Sequence, residues 1–216
     1  AFIIPQTLGL KYTTATKSGF ITTLYVIFVP FLNHFFFKEK TNFKIYLWAI
    51  TALFGTTLLL KVFSESPDLN QGDFWTLVCS LMAATQIIFV GKVASVTKSA
   101  FKLNNYQSLW TLISLTPFFF FQDKITFSTQ AFLPWFGVIS MAIGSSILAF
   151  TIQLRAQKVL SSSVASLLFL LESPFAFMFG YLFLSEKLSL VQLLGALLII
   201  CSSMLSLREE QTLHSK

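Results

Sequence analysis

The sequence predicts an all-α membrane protein, a multi-pass bundle in which about seven transmembrane helices are visible. Three observations carry that class. Of 216 residues, 55% are hydrophobic and only 11% charged, with a mean hydropathy of +0.73. A soluble domain has about 25% charged residues, so too few are present to cover a water-facing surface. The polar residues gather between apolar runs of about 20 residues, the length that crosses a bilayer. In lipid each run must satisfy its own backbone groups, which makes it a helix.

The elements follow in order. Ala1–Leu10 reads as the end of a helix. The first span is Thr14–Phe37, with its apolar part from Phe20, and the second is Ile45–Phe63. The third is Phe74–Val90 and the fourth is Tyr106–Phe121. Ala131–Leu154, Val164–Leu184 and Leu188–Leu207 complete the set, and Arg208–Lys216 reads as a polar tail. Between spans, Ser64–Asp73 collects Ser, Pro, Asn, Gly and acids, the composition of a loop. Lys38–Lys44 and Gln122–Gln130 are loops as well. Trp48, Trp75 and Trp135 stand near span starts, where amphipathic rings settle at the headgroups.

Charge and cysteine content exclude several classes. The net charge is +6, but the Lys and Arg residues are scattered singly through loops, without a basic patch or a nucleic-acid motif. No nucleic-acid partner is expected; the lipid bilayer is. Cys79 and Cys201 lie inside apolar runs as small core residues, and His34 and His214 have no neighbours at metal-ligand spacing. Neither a cofactor nor a metal is predicted. There is no H-E-x-x-H, no G-x-S-x-G and no P-loop, so an enzyme and direct ATP hydrolysis are disfavoured.

Loop charge sets the expected topology. One set of alternate loops holds Lys38, Lys40, Lys44, Lys92, Lys98, Lys102, Arg155, Lys158, Arg208 and Lys216; the other holds Lys11, Lys17, Lys61, Lys124 and Lys187. Positive charge concentrates on the cytoplasmic side, so the richer set and the C-terminus are placed inside.

The chain also resembles itself at an offset of 147 residues. Gln6 meets Gln153, Lys11 meets Lys158, Leu24 meets Leu171 and Phe28 meets Phe175. Glu39-Lys40 meets Glu186-Lys187, Leu47 meets Leu194, Ala49 meets Ala196 and Lys61 meets Arg208, all without a gap. By the loop-charge rule the two copies have opposite orientation. Inverted repeats of this kind are a mark of secondary transporters, with substrate held between the halves. The expected division is residues 1–66 as the C-terminal part of a first repeat, 67–210 as a complete second repeat and 211–216 as a tail. A whole protein of two five-helix repeats would have about ten spans, of which about two and a half N-terminal ones would precede Ala1.

The stretch Ala156–Leu197 carries a family resemblance. Its small-residue helix start Ser161–Ser163, mid-span Glu172 with Pro174, loop Ser185–Ser189 and Leu194–Ala196 are similar to the end of an EamA-type repeat of the drug/metabolite transporter superfamily. Gly9–Lys40 resembles the fourth helix of that family's first repeat. The family commonly has Glu directly before Pro, whereas Ser173 intervenes here. The resemblance implies a ten-helix carrier with both termini in the cytoplasm, exporting amino acids or related small-molecule metabolites. It implies efflux across a bacterial inner membrane.

Candidate site residues come from polarity inside spans. Glu172 lies mid-span, where an ionisable group costs about 2.5–3.5 kcal/mol on insertion scales. It is read either as a substrate-binding or proton-coupling group, or as a hydrogen-bonding partner of a helix opened near Pro174. Its face carries Ala165, Ala176 and Gly180, small residues that admit a close neighbour. Gln86 and Gln153 are amides inside spans; they line a cavity or bond helix to helix. Gly137, Ser140, Gly144 and Thr151 form a stripe at helical spacing, a packing seam or a cavity wall. Trp110 and Tyr25 are aromatic groups able to bound a ligand. Pro30, Pro117 and Pro174 are candidate hinges, because an interior proline removes a backbone bond.

The leading functional reading is a secondary transporter working by alternating access. A multi-pass channel or a receptor without a transport cycle is the alternative. A retinal-type receptor would need a lysine in the last span, and Leu188–Leu207 has none. Protons as coupling ion and a homodimer are further expectations of the carrier reading.

Overall fold

The computed structural model describes residues 3–39, 41–65, 68–120, 132–184 and 189–214. All regular elements among them are helical. They are α1 (Ile3–Gly9), α2 (Ala15–Thr23), α3 (Tyr25–Phe37), α4 (Phe43–Leu59), a single 3₁₀ turn (Val62–Ser64) and α5 (Gln71–Val96). Then come α6 (Ala100–Phe120), α7 (Phe132–Ser140), a π-helical stretch (Met141–Ala149), α8 (Phe150–Ala156), α9 (Ser162–Phe169), α10 (Glu172–Leu184) and α11 (Leu190–His214). Five helical stretches are long and apolar enough to cross a membrane: Ala15–Phe37, Gln71–Val96, Trp135–Ala156, Ser162–Phe183 and Leu190–Thr212. α4 is apolar but shorter, at 17 residues.

Two compact units divide the chain. The first is Val90–Val159, and the second is Phe2–Phe89 together with Leu160–Lys216. In the first, Val90, Ala94, Ala100 and Leu154 form a small core with Leu103 against it. Its π-helical stretch widens the helix and frees carbonyl groups. Buried Asn104 of α6 answers one of them, donating to the Ser146 carbonyl at 2.8 Å.

The second unit is built on α4 and α11. Their backbones cross at Gly55 and Gly195: a Cβ on Gly195 would stand 2.5 Å from the Gly55 carbonyl oxygen. Gln192 at the start of α11 donates to the Leu59 carbonyl at the end of α4 (3.2 Å), and Lys44 at the start of α4 pairs with Glu209 near the end of α11 (3.0 Å). The two helices therefore run antiparallel. Around the crossing lie Val26, Ile45, Ala49, Ala52, Leu59, Val164, Leu167, Leu170 and Ile199. A second cluster joins Val29 of α3 to Ala84, Ile87 and Ile88 of α5.

Helix limits repeat at the offset seen in the sequence. α1 and α8 begin and end 147 residues apart, as do α3 and α10, and α4 starts 147 residues before α11. Thr14 caps α2 and Ser161 caps α9 at the same offset, each hydroxyl accepting a backbone N–H three residues on. Since α4 and α11 are equivalents and run antiparallel, the copies are inverted.

Two expectations are corrected. The sixth span is two helices, α9 and α10, separated by a tight turn at Leu170–Leu171; the first span breaks likewise at Leu24. Next, the polar segment after Leu207 is helical through His214. Its acids have partners: Glu209 accepts from Asn42 (3.1 Å) and Lys44, and buried Glu210 accepts the Ser161 N–H at 2.6 Å. Glu210→Ala is expected to cost about 1–3 kcal/mol, the loss of a hydrogen bond to a charged group, seen as a lower melting temperature in detergent. Trp48 packs partly against the core, and its indole N–H is buried without a hydrogen-bond partner among the described residues. Glu39 accepts from buried Asn33 at 2.7 Å. Glu186 and Lys187 lie outside the described residues.

Candidate functional site

The two helix breaks position the candidate site. At the first, Thr22 and Thr23 turn their hydroxyls back onto the Ser18 and Phe20 carbonyls (2.8 and 2.7 Å). Such back-bonding bends helices. The Leu24 N–H then reaches only to Ile21, in a tightened i→i−3 turn, and Ser80 of α5 donates to the Thr22 carbonyl at 2.9 Å. At the second break, Leu170 and Leu171 make the same short bonds, to Leu167 and Leu168. Pro174, without an N–H, sits in the first turn of α10, and Ser203 of α11 donates to the Leu167 carbonyl at 2.9 Å. Different residues produce the same kink, and in each a serine from another helix holds a carbonyl at the bend.

The first residue after each break is Tyr25 in one copy and Glu172 in the other, again 147 positions apart. Tyr25 is half-buried against the core; Glu172 is exposed, and its carboxylate has no hydrogen-bond partner among the described residues. Of its expected face, Ala165 and Gly180 are buried and Ala176 is exposed.

The remaining candidates fall elsewhere. Gln86 is half-buried on α5 of the second unit. Trp110 (66% exposed), Ser140, Gln153 and Pro117 belong to the first unit, where Gln153 is half-buried and the others are exposed. In the stripe of Gly137, Ser140, Gly144 and Thr151, nothing among the described residues lies within 4 Å of a Cβ built on either glycine. The π-helical stretch shifts the register between Ser140 and Thr151, so ordinary helical spacing no longer places them on one face. Pro30 is buried inside α3, which continues through it; the nearest break is at Leu24. Sequence reading missed Asn104, Ser80 and Ser203, whose significance lies in carbonyls freed by helix irregularities. It also missed Asn70 and Asp73, which cap α5 reciprocally (Asp73 N–H to Asn70 side chain 2.9 Å, Asn70 N–H to Asp73 carboxylate 3.1 Å). That N-x-x-D spacing is a variant of the capping box and was legible.

An all-helical chain with several apolar spans, paired broken helices and an inverted repeat defines a multi-pass integral membrane protein of the transporter type. Residues 70–208 match the EamA-like transporter family, and the chain belongs to that family. An uncharacterized transporter of Archaeoglobus fulgidus is 31% identical over 199 residues, covering 90% of this chain and 61% of that protein. The uncharacterized transporter YoaV of Bacillus subtilis is 24% identical over 202 residues (90% of this chain, 67% of YoaV). YetK of the same organism is 23% identical over 146 residues, 66% of this chain and 44% of YetK. A crystal structure of another protein shares the fold with a TM-score of 0.81 over 98% of this chain and 74% of its own, at 14% identity. The chain thus spans 61% of the length of its archaeal relative.

Proposed function

We propose that this chain forms the larger part of a secondary carrier that exports small metabolites, such as amino acids or related compounds, by alternating access. The observation that carries the reading is the equivalence of Tyr25 and Glu172. They hold matching positions of the two copies, each the first residue past a helix break, so that a phenol follows one break and a carboxylate the other. Broken helices and inverted repeats are the construction carriers use for binding at the membrane midplane. In this reading residues 1–66 and 67–210 belong to opposed repeats, and Glu172 meets a positively charged substrate group or a coupling proton. Gln86 is a further candidate substrate-binding residue of the second unit, and Gln153, Trp110 and Ser140 are candidates of the first. The loop-charge asymmetry supports a C-terminus in the cytoplasm, and the family resemblance suggests the inner membrane of a bacterial cell.

The test is counterflow. Reconstituted in liposomes, the protein is expected to take up one member of a labelled amino-acid panel with saturation, and faster when unlabelled substrate is preloaded. Linear, non-saturating flux without acceleration by preloading would replace the carrier with a channel.

A further inference from the structure

At the end of the second unit away from the C-terminus, α1, α2 and α5 meet through polar groups and bare backbone. Lys17 and Asp73 form an ion pair of 2.7 Å, with side chains only 12% and 4% exposed. The Asp73 carboxylate also accepts from the Thr13 hydroxyl, and the Lys17 ammonium donates to the Asp68 carbonyl at 2.8 Å. Nearby Thr14 donates to Glu65 at 2.7 Å. Beside the pair the backbones of Gly9 and Gly72 touch: a Cβ on Gly72 would stand 2.6 Å from the Gly9 carbonyl oxygen and 2.7 Å from the Thr13 nitrogen. The Ser18 and Thr76 hydroxyls face each other at 3.4 Å, and Cys79, on the same face of α5 as Thr76, is fully buried.

The α4–α11 crossing shares the glycine contact but differs in what surrounds it. It is flanked by Leu58, Leu198 and Ile199, and farther along, α3 meets α5 through Val29, Ala84 and Ile88. Interlocked apolar groups resist parting because separation exposes them. A buried ion pair is a weak source of net stability, since each charge has given up its hydration. When the joint opens, both charges regain water, and glycine faces and hydroxyls separate without unmeshing side chains. Such a surface suits a contact that forms and breaks.

We propose that the Lys17–Asp73 pair with the Gly9–Gly72 contact is a gate. It closes one end of the transport path and parts during the cycle, admitting water to Ser18, Thr76 and Cys79. The proposal rests on the carrier reading, but its test reads accessibility, not transport. Cys79 supplies the probe. In a form with Cys79 as sole cysteine (Cys201→Ser), a membrane-impermeant methanethiosulfonate reagent is applied to each membrane face in turn. Lys17→Ala, and independently Gly72→Ala, whose methyl cannot fit the closed seal, are expected to speed Cys79 modification from the face opposite the C-terminus by about tenfold. The exchange Lys17→Asp with Asp73→Lys is expected to slow it again. Asp73→Asn stands in if Lys17→Ala does not fold, as judged by size exclusion. Equally slow modification in all folded variants, equal access from both faces, or failure of the exchange to restore protection would overturn the gate. Any of these leaves the counterflow result standing on its own, and absent counterflow leaves the labelling result readable.

Discussion

Gly195→Val is expected to leave little folded protein. The position is where α11 crosses α4, and even a methyl there would stand 2.5 Å from the Gly55 carbonyl oxygen and 2.6 Å from the Leu59 backbone nitrogen. Those are backbone atoms of a packed helix, so neither can rotate aside. The helices must move apart, and with them the buried set of Ala52, Leu59, Leu167 and Ile199 that surrounds the crossing. Overpacking a core costs about 1–3 kcal/mol when side chains can adjust, and here the loss of the interface adds to it. Gly55→Val meets the Gly195 carbonyl at 2.8 Å and is expected to behave alike. Gly137→Ala and Gly144→Ala are the controls: with nothing within 4 Å, they are expected to stay within about 0.5 kcal/mol of the parent. Thermal melting of detergent-solubilised protein, followed by size exclusion, reads all four. A Gly195→Val protein that melts like the parent would show that the crossing does not hold the unit together.

Glu172→Gln is expected to reduce counterflow at least about tenfold while leaving the melting temperature nearly unchanged. The amide keeps the shape and hydrogen-bonding reach of the carboxylate but removes its charge and its proton. Glu172 is exposed and bonds nothing among the described residues, so its loss removes no packing. Exposed substitutions away from such features stay within about 0.5 kcal/mol. The split between activity and stability is what distinguishes a working carboxylate from a structural one. Tyr25→Phe, which deletes the phenol oxygen at the equivalent position of the other copy, is expected to weaken the same activity to a smaller extent. Unchanged transport and unchanged pH dependence in Glu172→Gln would remove Glu172 from the site.

Much of this was readable before any coordinates. The apolar runs gave the helices, and Pro174 marked the neighbourhood of the second break. The offset linking Gln6 to Gln153 and Lys11 to Lys158 already aligned α1 with α8. The first break was not readable, because Thr22 and Thr23 bend the chain through carbonyls whose availability depends on Ser80, 58 positions from Thr22. For the same reason Pro30 looked like the hinge and is not where α3 begins.

The sequence by itself determined the class of protein: hydropathy, span length and an inverted internal repeat are properties of composition and order, and the bilayer enforces them. Tertiary structure decided which polar residues matter. Tyr25 and Glu172 stand out because each opens the helix that follows a break, at equivalent positions of the two copies. Lys17 and Asp73 become a buried pair because Gly9 and Gly72 let two backbones touch. Glu210 becomes the partner of the Ser161 N–H because α11 outruns its equivalent α4. Each depends on contacts between residues distant in the chain, and local pattern carries no record of them.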